Sequence, residues 1–80
     1  MDDRTILSHI NELVAEEKAL RSRQTGQGLD DADRERMHQL EVELDQAWDL
    51  LRQRRAKAEV GDDPDNAEQR PAGEVETYLP

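Results

Sequence analysis

The eighty residues contain no cysteine and no phenylalanine, and only one tryptophan, one tyrosine, three prolines and four glycines. Without cysteine there is no disulfide framework, no thiolate metal site and no thiol nucleophile, so packing alone must hold the fold. The apolar share of 34% is well under the ~45 to 50% usual for globular chains, which excludes a large core. No stretch approaches the ~20 consecutive apolar residues of a membrane-spanning helix. The opening "MDDRTILSHI" starts with acid where a secretory leader is basic, so a cytoplasmic protein with no membrane association is expected.

Charge is what the chain has in abundance: 39% of its residues are charged, and the net charge is -9. More than half of that excess lies in residues 61–80, where a single Arg70 accompanies six carboxylates. A nucleic-acid binder neutralises phosphates with clustered cations in net excess. Nucleic acid is therefore a disfavoured partner, despite the basic run of Arg52, Arg54, Arg55 and Lys57. Thirteen of the fifteen Leu, Ile and Val residues fall within residues 1–60. Residues 61–80 keep Val75 and Leu79 beside Pro64, Pro71, Pro80, Gly61 and Gly73, the composition of a flexible acidic tail.

The first sixty residues read as two helices, about 3–24 and 31–60. In the first, Ile6, Ile10, Leu13 and Leu20 step by four, three and seven residues, a heptad seam that Leu7 and Val14 widen. Asp2 or Asp3 can cap its start, and "TGQG" ends it because glycine enters the left-handed region without a Cβ clash. In the second, Asp30 or Asp31 can cap, and Met37, Leu40, Leu44, Ala47 and Leu51 form the seam. A connection this short makes the two helices antiparallel. The expected fold is all-α: an antiparallel, coiled-coil-like hairpin over residues 1–60, followed by the acidic tail at 61–80.

The seams align when paired positions add to about 57. Leu20 then meets Met37, Leu13 meets Leu44, Ile10 meets Ala47, Ile6 meets Leu51, and Asp3 meets Arg54. Glu17 falls opposite Leu40 as the one carboxylate on the seam, and it has Arg21 as an i, i+4 partner in the favourable order. Two helices bury little, and domains of this size usually need a staple or a partner. A two-fold homodimer forming a four-helix bundle is the simplest answer.

Chemistry finds little to work with. His9, Glu12 and Glu16 share a helix face, but a metal site in a bundle needs ligands converging from several helices. The Ser and Thr hydroxyls lack an evident base and orienting partner. No cofactor, metal or catalytic role is expected, and the protein is read as a non-enzyme. The stretch "LDQAWDLLRQRR" at 44–55 is different, because it sets the lone tryptophan among arginines. Trp48 flanks the seam on the side of Ile6, His9 and Ile10, where it either closes the hairpin edge or packs in a dimer. Alternatively Trp48, Arg52 and Arg55 form a hot-spot face for another protein, a role in which Trp and Arg are enriched. The terminal cluster Val75, Tyr78 and Leu79 either docks on the long helix or serves a partner as a short motif.

"LEVELDQAWDLLRQRRAK", "ILSHINELVAEEKALR" and the closing "RPAGEVETYL" together resemble a family of short actinobacterial proteins classed as a domain of unknown function. The resemblance covers nearly the whole chain. It implies a small, intracellular helical protein, transfers no catalytic residues, and gives weight to the proline-glutamate-tyrosine ending. The expected function is a protein–protein interaction module, for instance in regulation of transcription or stress response, acting through the Trp48 and arginine face and the tail. The alternative is a self-associating structural protein.

Overall fold

The computed structural model describes residues 2–78, with the side chains of 24–27 and 76–78 outside that description. Two long helices, α1 (Asp3–Gln27) and α2 (Asp31–Glu59), lie antiparallel, and a short third, α3 (Ala72–Tyr78), packs on α2. Asp2 Oδ1 accepts from the Thr5 amide at 2.8 Å, and Asp30 Oδ1 from the Asp33 amide at 2.8 Å. Each start is thus capped by a side-chain oxygen that satisfies a free N–H. Gly28, at φ +74°, follows the end of α1. The hairpin and its returning tail make an elongated body of 50 × 25 × 18 Å.

The seam packs as two adjoining clusters. Ile6 and Ile10 of α1 meet Ala47, Leu50 and Leu51 of α2, while Leu13 and Leu20 meet Leu40, with Leu44 bridging the two groups. Ile6, Leu40 and Leu51 are at most 1% exposed, and each contributes about 1.5–3 kcal/mol by leaving water. The charged rungs follow the same alignment. Arg54 Nε donates to Asp3 Oδ1 at 2.5 Å, and Arg23 Nη2 to Asp33 Oδ1 at 3.1 Å. Glu17 turns from the seam to Arg21 at 3.1 Å.

The tail takes the docked alternative. Residues 62–78, whose composition is that of a flexible segment, run back along α2, and the reason begins at Gly61. With Gly61 at φ +78°, its amide bonds Ala58 O and the Asp62 amide bonds Lys57 O at 2.8 Å, the paired bonds of a Schellman stop. The chain then reverses through one 3-10 turn, Pro64–Asn66, whose Asp65 amide donates to the capping Asp63 Oδ1 at 3.0 Å. Ala67 packs against the core cluster, and Val75 of α3 is 1% exposed. Composition counted too few apolar residues here, but the tail needs only these two because polar pairs do the rest.

Candidate interaction face

Helical periodicity divides α2 into three strips. Leu40, Leu44, Ala47, Leu51 and Arg54 face α1. Gln46, Asp49, Leu50 and Gln53 form the strip under the tail. Glu41, Asp45, Trp48, Arg52 and Arg55 form the third, on the other side of the hairpin.

Under the tail, Gln46 and Gln53 donate side-chain N–H bonds to the carbonyls of Arg70 and Glu68, at 3.3 and 2.9 Å. Asp49 is 3% exposed. Arg70 grips it with two N–H donors, Nε to Oδ2 at 2.9 Å and Nη2 to Oδ1, and Gln53 adds a third bond at 2.9 Å. The Arg70 hydrogen bonds hold the Asp49 carboxyl below its ordinary pKa, against the opposing effect of burial. At the far end, Arg54 Nη1 donates to Asp65 at 2.8 Å. This guanidinium, 9% exposed, therefore ties α1, α2 and the tail together, and its bond lowers the Asp65 pKa.

On the open strip Trp48 is 41% exposed, and Arg52 and Arg55 are exposed beside it. Across the hairpin on the same side is Leu7 of α1, 38% exposed. Trp48 and His9 are not neighbours as the sequence suggested. His9 lines a groove on the tail side with Glu43, Gln46, Ala47 and Gln69.

The sequence-derived site residues therefore separate. Trp48, Arg52 and Arg55 form one exposed face, whereas Val75 points inward and holds the tail down. The Tyr78 side chain and Leu79 lie outside the described residues. Sequence reasoning missed Asp49, Gln46, Gln53 and Arg70, and the available signal was Arg70 as the one cation of an acidic tail. Among the described residues no three His, Asp or Glu side chains converge to hold a metal, and no helix is long and apolar enough to cross a membrane.

Relatives occur in mycobacteria. An uncharacterized protein of Mycobacterium tuberculosis strain H37Rv is 49% identical over 77 residues, covering 95% of this chain and 88% of the relative. An uncharacterized protein of Mycobacterium bovis matches with the same identity and coverage. No solved structure matches. The family described as "Protein of unknown function (DUF2630)" matches residues 2–80, and this chain belongs to it.

Proposed function

We propose that the protein is a cytoplasmic helical interaction module, with no catalytic role, that binds another protein surface through Trp48, Arg52 and Arg55. The observation that carries this reading is the exposure of Trp48: the chain's largest side chain stands 41% exposed, with Arg52 and Arg55 on the turns that follow it, while aliphatic residues fill the core. Desolvating a ring of that size, with guanidinium groups beside it, is a favoured source of binding energy at protein interfaces. In this reading the tail acts as a strap. By covering the opposite side of α2 it stiffens the helix that presents the face, which lowers the ordering cost of binding.

The test places a photo-crosslinking amino acid at Ala56, exposed one turn after Arg52, in the native cell and identifies crosslinked proteins by mass spectrometry. Crosslinks that Trp48→Ala abolishes, with helicity unchanged by circular dichroism, support the reading. Crosslinks that survive Trp48→Ala overturn it. A second reading, assembly as a homodimer, draws support from the order of charges along the same strip.

A further inference from the structure

The open strip of α2 has an ordered charge pattern centred on Trp48. Glu41 lies seven residues before it and Arg55 seven after; Asp45 lies three before and Arg52 four after. Acid occupies one half and base the other. A helix with this arrangement is complementary to itself when a second copy runs antiparallel, because a two-fold axis beside Trp48 sets each acidic half against the partner's basic half.

We propose that the occupant of the Trp48 face is a second copy of this chain, with the two α2 helices crossing antiparallel at Trp48. The pairing places Glu41 against the partner's Arg55 and Asp45 against the partner's Arg52, with both symmetry mates repeated. The inference rests on the reading of Trp48 as an interaction face and names its partner.

Three observations support this occupant. First, among the described residues Glu41, Asp45, Arg52 and Arg55 are in no ion pair, like Arg4 and unlike Arg21, Arg23, Arg34, Arg36, Arg54 and Arg70, and the one intrachain charge near Arg52 is Asp49, which Arg70 already holds. Second, within one chain the like charges stand a turn apart, Glu41 by Asp45 and Arg52 by Arg55, a spacing that is mildly destabilising and that an opposite-charge partner relieves. Third, the axis covers two of the three large apolar residues that stand exposed among the described residues, Leu7 and Trp48, while Val60 lies outside it. In the hairpin alignment that pairs Ile10 with Ala47, the level of Trp48 on α2 is the level of His9 on α1, so Leu7 lies within a turn of the axis on the same side. Two Trp48 rings and two Leu7 side chains then form the apolar centre of the interface, with the charge pairs as its rim. The tail, on the opposite side of α2, stays clear of it.

Sedimentation equilibrium of the full chain tests the arrangement with Glu41→Arg, Arg55→Glu and the double variant. These residues are exposed, so circular dichroism should show unchanged helicity. The wild type should be a dimer. Each single reversal sets like charges together at two symmetry-related places and should raise the dissociation constant roughly tenfold or more. The double variant restores opposite charges and should return to within about threefold of wild type. A monomeric wild type overturns the second copy as occupant, and so does a dimer that the single reversals leave intact or the double fails to rescue. The two readings fail separately: a monomer that still gives Trp48-dependent crosslinks to another protein keeps the interaction face and removes the dimer.

Discussion

Asp49 and Arg70, 21 residues apart in the chain, meet as a buried carboxylate and a guanidinium that donates two hydrogen bonds to it. The pair fastens a tail whose composition alone suggests a solvated segment. Replacing Arg70 with alanine leaves Asp49 with the Gln53 hydrogen bond and the more distant charge of Arg52, in a site closed to most water. Breaking a charged hydrogen-bonded pair from one side costs about 1–3 kcal/mol, and here the cost falls on tail docking. Amide exchange should speed up through residues 67–78 in Arg70→Ala while the amides around Leu40 and Leu51 keep their protection. Equal loss of protection in both regions would show that the tail and hairpin unfold as one unit.

The same pair sets a pH dependence. The Asp49 carboxyl is held below its ordinary pKa chiefly by the Arg70 hydrogen bonds, and Asp65 is lowered by the Arg54 hydrogen bond. A carboxyl with a depressed folded-state pKa binds its proton more readily in the unfolded chain. The stability it contributes is full above the unfolded value, roughly 3.9, and is lost as pH falls through the folded value. Tail docking should therefore hold at neutral and mildly acidic pH and loosen below the ordinary Asp range. Val75 methyl resonances followed by NMR during acid titration report it. In Asp49→Asn that pH dependence should flatten, and release of Val75 near pH 6 in the wild type would contradict the mechanism.

Val75 and Val60 make a matched comparison, since the same substitution meets opposite surroundings. Val75 is 1% exposed and Val60 is 81% exposed. Val75→Ala removes two buried methyl groups' worth of contact and leaves a void, at about 2 kcal/mol. Val60→Ala should stay within about 0.5 kcal/mol. Urea denaturation of both variants measures the contrast, and similar midpoints would mean that the tail adds nothing to the stability of the hairpin.

The seam was legible because it repeats: Ile6, Ile10, Leu13 and Leu20 signal one buried stripe, and Asp3 and Arg54 confirm the alignment from its end. Docking of the tail was open in the sequence as one of two roles for its terminal apolar cluster, but the polar pairs that fasten it were not legible because nothing in them repeats. Asp49 on the long helix looks like any surface carboxylate, and Arg70 like any tail residue, until the reversal at Gly61 brings them together. Trp48 was open to two readings, hairpin closure or an exposed face with Arg52 and Arg55. Its size suggested a ring closing the hairpin edge beside His9, yet the tail side of α2 is closed by Leu50, Ala67 and Val75, and the tryptophan stands on the side left open.

Arg54 is a junction, and this alters what a charge exchange across the hairpin should do. Its guanidinium donates to Asp3 at 2.5 Å and to Asp65 at 2.8 Å. If the pair with Asp3 stood alone, Asp3→Arg with Arg54→Asp would restore it and recover wild-type stability. With Asp65 in place, the exchanged chain pairs positions 3 and 54 again but sets a carboxylate at 54 against Asp65. The double variant should therefore be more stable than the sum of its single losses predicts, yet less stable than wild type. Adding Asp65→Lys to the double variant should recover much of the remaining difference. Thermal melts of the two single variants, the double and the triple complete the cycle. A triple variant no more stable than the double would show that Asp65 does not share Arg54 in solution.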